Sequence, residues 1–271
     1  MAVNLWGIGV VKNESDVIGD SVDHALTYCD QVHYLDNNST DGTWEILQKK
    51  IKEHPRRFFA ERYEPPYTDG VRREIYNRFN DDLPPDHWWI KLDADEFLHQ
   101  DPHTLLEGAS TAGADGVVAW QVQFLYTDVD HRRYTAGDDD PALSIVERRR
   151  FYRTNWREPR IWRNFPGEEW SNTNIMHPEQ VGKFHSQRPL NRHYQYRSPE
   201  QIQTRIDIRR GSQFFTHVES TKWEQHIVSA ASCAEWVPGT DPTIHYREFY
   251  QTRIRQKIRS RLGRSNAAGG A

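Results

Sequence analysis

The sequence has few cysteines and no long hydrophobic run. Its 271 residues include two cysteines, Cys29 and Cys233. Two cysteines cannot form the multi-bridge framework of a small secreted domain, so we expect free thiols in a reducing compartment. No apolar stretch approaches the roughly 18 residues that a membrane helix needs, and the first residues lack the pattern of a secretory signal. These absences predict a cytoplasmic protein.

The sequence also lacks an excess of positive charge. Its 35 Lys and Arg residues are outnumbered by 39 Asp and Glu residues, for a net charge of -4. A chain of this charge has no general attraction for nucleic acid, so we expect no nucleic-acid partner. The length is sufficient for one large domain with its own core, and a charged fraction of 27% is typical of a folded globular protein.

What the sequence does have is a regular alternation of strand and helix patterns in its first hundred residues. Short apolar runs predict buried strands, and segments with apolar residues at helical spacing predict helices between them. The predicted strands are 5–11, 31–35, 57–62 and 87–92, and the predicted helices are 17–26, 44–51 and 71–79. This rhythm predicts an α/β fold with a parallel sheet that binds ligands at the carboxyl ends of its strands.

The second half is less regular. Segments 116–126 and 144–152 have strand patterns, and 199–210 has a helical pattern. The intervening segment 153–197 is rich in Trp, Arg, Asn, His and Pro, which favours a loop-rich substrate region.

A basic segment near the end of the chain predicts a helix over 244–262, followed by a flexible tail at 265–271. The preferred interpretation is a helix with one packed and one solvated face. Peripheral contact with an anionic membrane surface is the alternative.

Two acids, Asp93 and Asp95, come directly after the fourth predicted strand. Carboxylates in this position suit Mg²⁺ or Mn²⁺, whose remaining ligands are usually water and phosphate oxygens. Solvated acids in a turn are the alternative for so short a motif. Polar residues after two neighbouring strands, Asn13 and Asp36, favour a binding site at this edge of the sheet.

Three segments resemble, in order and spacing, successive motifs of the family-2 glycosyltransferases. They are Val-Val-Lys-Asn-Glu at 10–14, Asp-Asn-Asn-Ser-Thr-Asp-Gly-Thr at 36–43 and Leu-Asp-Ala-Asp-Glu-Phe at 92–97. The resemblance is close over residues 4–100 and looser to about residue 210. It implies a Rossmann-like GT-A fold with a mixed, mostly parallel central sheet. It also implies a nucleoside diphosphate sugar donor, with UDP the nucleotide tested first, a Mn²⁺ or Mg²⁺ ion, and inverting transfer to an acceptor hydroxyl.

The same resemblance implies roles for residues in the first half. Asn13 and Glu14 would lie near the nucleoside, and Asp36 would contact the base. Asp95 would be the principal metal ligand, with Asp93 near the ribose or the metal. A helix-capping role is the alternative for Asn13.

Further basic residues fall where the family binds the nucleotide and its phosphates. Arg72 and Arg73 would lie near the nucleotide, with a solvated helix face as the alternative. His193 would bind the metal or the diphosphate, with a structural histidine as the alternative. Arg197 would neutralise the leaving phosphate, because a guanidinium matches phosphate oxygens well.

An inverting transfer also needs a general base, and the family takes it from the second half. Glu168 and Glu169 are the first candidates, because Trp170 beside them has a ring that stacks on sugars. Asp128, which follows the predicted strand 116–126, is the competitor.

The sequence therefore predicts a GT-A domain at 1–240, with a nucleotide-sugar half at 1–100 and an acceptor half at 101–240. A basic helix at 241–264 and a tail at 265–271 complete the chain. The alternative function is a non-catalytic nucleotide-sugar-binding or membrane-surface protein with the same fold. A nucleotidyltransferase is less favoured, because residues 5–11 lack a Gly-rich phosphate loop with a Lys or Arg.

Overall fold

The computed structural model describes residues 3–210 and 222–237. Its strands are β1 (Leu5–Val11), β2 (Gln31–Asp36), β3 (Phe58–Arg62), β4 (Trp88–Leu92), β5 (Glu96–Leu98), β6 (Gly116–Phe124), β7 (Phe151–Arg163), β8 (Leu190–His193) and β9 (Ala234–Glu235). Its helices are α1 (Ile18–Ala25), α2 (Thr43–Glu53), α3 (Arg73–Phe79), α4 (His103–Thr111), α5 (Asp128–Ala136), α6 (Ile145–Arg148) and α7 (Pro199–Arg210).

The strands form a single sheet in the order β3-β2-β1-β4-β7-β6-β8-β5, and β9 pairs with β7. Strands β1 to β4 are parallel to one another, and β6 is parallel to β8. Strand β7 runs antiparallel to both β4 and β6, and β5 runs antiparallel to β8. The predicted α/β fold with a mixed, largely parallel central sheet is confirmed.

Apolar side chains cover the sheet on both faces. On one face, Leu5 and Val11 of β1 pack with Val22 and Leu47 from α1 and α2. On the other face, Ile8 packs with residues of α3 and with a group of buried aromatic rings. Burial on both faces is what a parallel sheet with crossover helices requires, and it fixes the positions of the strand ends.

The prediction for 144–152 is wrong, because this segment begins as a helix and not as a strand. Ser144 and Glu147 form a capping box, in which each side chain accepts a hydrogen bond from the other residue's backbone N–H. This Ser-x-x-Glu pattern starts helix α6, and the strand β7 begins only at Phe151.

The prediction of a loop-rich region at 153–197 is also wrong in part. Strand β7 continues to Arg163, and β8 lies at Leu190–His193. Charged residues such as Glu158 and Arg160 face other charged groups inside the protein, so the strand lacks the apolar alternation that identifies one. The rest of 164–189 has no strand or helix among its described residues. The sequence patterns also missed β5, α4 and α5.

The helix predicted over 244–262 and the tail at 265–271 lie outside the described residues. In the part of the chain that is described, none of the helices has both the length and the apolar character needed to cross a membrane. Cys29 and Cys233 form no disulfide.

Candidate functional site

Residues from six strands meet at one edge of the sheet. Strand β2 ends at Asp36, and the chain after β1 and after β4 supplies Glu14 and Asp93. Strand β5 starts at this edge and β8 ends there, so that Glu96 pairs directly with His193 in the register of the two strands. Strand β7 runs antiparallel to β4 and passes this edge near Glu158 and Arg160.

Asp95 and His193 are in contact, although 98 residues separate them in sequence. The His193 Nε2 atom lies 3.3 Å from Asp95 Oδ2, and one potential ligand atom from each of Asp95, Glu96 and His193 lies within 4.8 Å of the others. Burial by itself would raise the pKa of Asp95, but the charges of His193, Arg205 and Arg197 outweigh it and hold that pKa well below its usual range. Asp95 is therefore a buried, ionised carboxylate.

Asp93 is surrounded by cations of its own. Arg72 donates to Oδ1, Arg160 donates to Oδ2 at 2.7 Å, and Lys91 Nζ lies 3.7 Å from Oδ2. These charges, from Arg72 first and then Lys91 and Arg160, overcome burial and keep the pKa of Asp93 well below its usual value. The side chain is 30% exposed. Asp93 is therefore an ionised carboxylate that is held by three cationic side chains and is still partly exposed.

Asp93 adjoins a buried network of charged and polar groups that no sequence pattern indicated. Arg160 bridges the carboxylates of Asp93, Glu96 and Glu158. Gln121 donates to Glu96 at 3.3 Å and to Glu158 at 3.0 Å. Because these groups come from β5, β6 and β7, they lock Glu96 in place beside Asp95. No local motif marked them, since their roles arise from strand pairing.

Arg197 connects the chain after β8 to the loop after β1. It donates to Asp16 through Nε at 2.7 Å and Nη2 at 2.9 Å, to Glu14 through Nη2, and to the Tyr194 carbonyl through Nη1 at 3.0 Å. Its side chain is 0% exposed. Burial raises the pKa of Glu14 to about 7, even though Arg197 and Arg205 act in the opposite direction.

Arg205 of α7 approaches the same carboxylates from the more open side. Its Nη1 atom lies 3.4 Å from Asp95 Oδ2 and 3.7 Å from Glu14 Oε1. Every contact that the described residues make with the Asp95 carboxylate falls on Oδ2. The other oxygen, Oδ1, is therefore the one that remains for a ligand.

Asp36 is fully buried at the end of β2. One of its oxygens, Oδ2, accepts from Arg62 and from the Ser39 N–H at 3.3 Å. The other oxygen, Oδ1, is buried and has no hydrogen-bond partner among the described residues. A buried acceptor in this condition is uncommon and points to a missing donor.

Asn13 holds two loops together. Its φ of 55° is unusual for a residue other than glycine. Its backbone N–H donates to Ser39 Oγ at 2.9 Å, and its side-chain Oδ1 accepts from the Thr40 N–H at 2.8 Å. These contacts give Asn13 a structural part in the loop that follows β1, beside Glu14.

The structure separates the two neighbouring arginines at the start of α3, Arg72 and Arg73. The buried Arg72 reaches Asp93, whereas Arg73 lies partly exposed against Glu74 at 3.3 Å. Among the described residues, the contacts of Arg73 are with Glu74 and the Ser171 carbonyl and not with Asp93. Its predicted nucleotide-binding role stays a prediction.

Two of the three candidates for a general base lie at the opposite end of β4 from Asp93 and Asp95. Glu168 and Glu169 follow β7 at the amino end of β4, where the Glu168 carbonyl accepts from Asn80 at 2.9 Å. Asp128 is the first residue of α5 and follows β6 at the end that pairs with His193. It pairs with Arg132 at 2.9 Å and accepts from the Ala230 N–H at 2.7 Å. The structure does not bring Glu168 and Glu169 to the cluster, and the identity of the base stays a prediction.

Comparisons with known proteins give partial likenesses. No protein-family model matches the chain, and no curated protein matches it. Among solved structures, the mannosyltransferase PcManGT from Pyrobaculum calidifontis, in complex with GDP-Man and Mn²⁺, is 16% identical with a TM-score of 0.33, over 50% of this chain and 38% of that one. A structure described as a glucose-1-phosphate thymidylyltransferase from Bacillus anthracis, in complex with a sucrose, is 10% identical with a TM-score of 0.31, over 45% of this chain and 55% of that one. The chain thus spans well under two thirds of either protein.

The donor atoms at Asp95 fit a divalent cation. Two carboxylates and an imidazole converge there, and the buried Nδ1 atom of His193 has no hydrogen-bond partner among the described residues. Oxygen ligands with one imidazole suit Mn²⁺ or Mg²⁺. The second group of acids, Asp93, Glu96 and Glu158, is a poorer candidate because Arg160 already pairs with all three.

Proposed function

We propose that this protein is a metal-dependent glycosyltransferase that takes a sugar from a nucleoside diphosphate sugar. The observation that carries the proposal is the buried Asp95 carboxylate, which meets His193 and Glu96 at the carboxyl end of a largely parallel sheet. Ligands of α/β sheets bind at this edge. The resemblance of segments 10–14, 36–43 and 92–97 to family-2 glycosyltransferase motifs supports the same class.

In this proposal the residues around Asp95 bind the phosphate end of the donor. Asp95 and His193 would hold the metal, and Asp93, which is 30% exposed, would lie near the ribose or the metal. The ion, when bound, offsets the negative charge of the departing diphosphate. Asp36, with its unpartnered Oδ1, would accept a hydrogen bond from the base. Inversion at the sugar and an acceptor hydroxyl are expectations from the family resemblance.

The central test is the variant Asp95→Ala. We expect nucleotide binding by the wild-type protein to depend on Mn²⁺ and to be lost with a chelator. The variant should bind a nucleoside diphosphate on the order of 100-fold more weakly in Mn²⁺, as expected when a metal ligand is removed. Isothermal titration calorimetry with UDP and GDP measures binding, and a panel of nucleotide-sugars measures hydrolysis or transfer.

The matched control for this test is Asp23→Ala, which removes a half-exposed aspartate of α1 that pairs with Lys50. Binding and turnover should be unchanged in the control. Unchanged metal-dependent binding and turnover in Asp95→Ala would overturn the proposal.

A second candidate is a nucleotide-sugar-binding protein without transferase activity. The position of Glu168 and Glu169, at the opposite end of β4 from Asp93 and Asp95, favours it. This candidate predicts metal-dependent nucleotide binding with no turnover on any donor. If it acts at a membrane surface, neutralising the arginines of the basic segment 244–262 should abolish binding to anionic liposomes.

A further inference from the structure

Two arginines, Arg197 and Arg205, face the Asp95 carboxylate beside His193. The family resemblance implied that Arg197 neutralises the leaving phosphate. The two arginines differ in the hydrogen-bond partners of their side-chain nitrogens and in the exposure of their side chains.

Arg197 has little capacity left for a ligand, because four of its five N–H groups already donate. Each of its three side-chain nitrogens already donates to Asp16, Glu14 or the Tyr194 carbonyl. Its side chain is 0% exposed. A phosphate could reach it only by displacing two carboxylates from a buried guanidinium, which would leave those carboxylates without a counter-charge.

Arg205 is different in both respects. Its contacts with Asp95 and Glu14, at 3.4 Å and 3.7 Å, are longer than those of a strong charged hydrogen bond. Its Nε atom is buried and has no hydrogen-bond partner among the described residues. Its side chain is 22% exposed, more than that of any other cation within 4.0 Å of Asp93 or Asp95 in the described part of the chain.

Helix α7 presents Arg205 together with a second guanidinium. Ile202 and Ile206 are buried on the face of α7 that packs with Tyr126. Arg205 and Arg209 lie one helical turn apart, and both are close enough to Asp95 for its charge to affect them. Burial first, and then the charge of Arg205, lower the pKa of Arg209. Two partly buried guanidinium groups one turn apart repel each other, and an anion beside them would relieve that repulsion.

We infer that Arg205, and not Arg197, donates to the diphosphate of the bound donor, while Arg197 holds the loop after β1 against the chain after β8. The inference rests on the proposed function. In the ligand-free protein Arg205 shares the charge of Asp95 and Glu14 through long contacts. A diphosphate offers its guanidinium the short, paired hydrogen bonds that these contacts do not supply.

The test compares Arg205→Met with wild type for UDP and GDP by calorimetry in Mn²⁺, and for uridine and guanosine by saturation-transfer NMR. Removing a hydrogen bond to a charged group should weaken diphosphate binding about tenfold or more. Nucleoside binding should not change. Arg205→Lys keeps the charge but not the paired hydrogen-bond geometry, so its diphosphate affinity should lie between those of the wild type and Arg205→Met.

Arg210→Met is the matched control, because Arg210 is an exposed arginine of the same helix that lies 3.9 Å from Asp207. It should bind diphosphates as the wild type does. If Arg205→Met also binds them as the wild type does, the inference is wrong and the proposed function stands. If the wild type binds none of the four probes, the proposed function fails, and the inference fails with it. If the unfolding curve shows that Arg205→Met folds poorly, Arg205→Lys provides the test. A diphosphate affinity equal to that of the wild type in Arg205→Lys would refute the role of paired hydrogen bonds.

Discussion

At the scale of one residue, Asp36 has a buried oxygen atom without a hydrogen-bond partner among the described residues. Leaving a buried acceptor unpaired costs about 1–3 kcal/mol, so Oδ1 of Asp36 should gain a donor when the site is filled. If that donor is a nucleobase, Asp36→Asn should weaken nucleotide binding about tenfold, because the amide offers less charge to the donor. Calorimetry with UDP, GDP and CDP measures the effect for each base.

The same substitution also weakens the ion pair between Asp36 and Arg62, and Arg62→Met separates the two effects. This variant removes the ion pair and leaves the carboxylate in place. Arg62→Met should therefore lose less nucleotide affinity than Asp36→Asn does. Equal losses in the two variants would mean that Asp36 acts through Arg62 and not through the base.

At the scale of elements, the loop after β1 and the chain between β8 and α7 are joined through one buried guanidinium. Arg197 pairs with Glu14 and Asp16, which lie more than 180 residues away in sequence. Removing one partner of a buried ion pair leaves an uncompensated charge, so Arg197→Met should lower the free energy of unfolding by about 3 kcal/mol. Urea unfolding of the variant and the wild type gives this difference.

Arg210→Met again provides the control, because it removes an arginine of α7 whose ion pair is at the surface. Surface ion pairs contribute about 0–1 kcal/mol, so the control should unfold close to the wild type. A loss in Arg197→Met no larger than that of the control would show that the two elements are held together by other contacts.

At the scale of the whole molecule, two buried histidines make stability depend on pH. His33 and His87 both pack against Trp6, with ring centroids 5.3 Å and 5.2 Å from it. Burial is the main cause that lowers the pKa of each to about 4. The folded state therefore binds fewer protons than the unfolded state, whose histidines titrate near 6.5. The stability from these groups is present above about pH 6.5 and is lost as the pH falls towards 4.

The variant with both His33→Gln and His87→Gln should lose less stability between about pH 7 and about pH 5 than the wild type. Glu14 acts in the opposite direction, because burial raises its pKa to about 7. The comparison with the variant removes that contribution, since Glu14 is present in both proteins. Urea unfolding at the two pH values measures the difference, with His103→Gln, at the partly exposed start of α4, as control. Parallel pH dependence in variant and wild type would contradict the prediction.

The strands of the first hundred residues were predictable because their signals are local. The apolar run of β1 was predicted with its observed bounds, and β2, β3 and β4 within one residue at either end. A buried strand of a parallel sheet must be apolar along its length, and each strand here is followed by polar residues at the ligand edge. These two properties alone place Asp36 and Asp93 together at one edge.

The sequence by itself therefore determined the α/β class, the first four strands and the carboxylates that follow them. Only the tertiary structure decided which groups join those carboxylates. Asp95 meets His193 because β5 and β8 pair, and Asp93 meets Arg160 because β7 runs antiparallel to β4. The tertiary structure also decided that Arg72 and not Arg73 contacts Asp93, since successive helical residues point about 100° apart. Local patterns record burial and turns, whereas contacts between distant strands depend on sheet order and direction, which no single segment encodes.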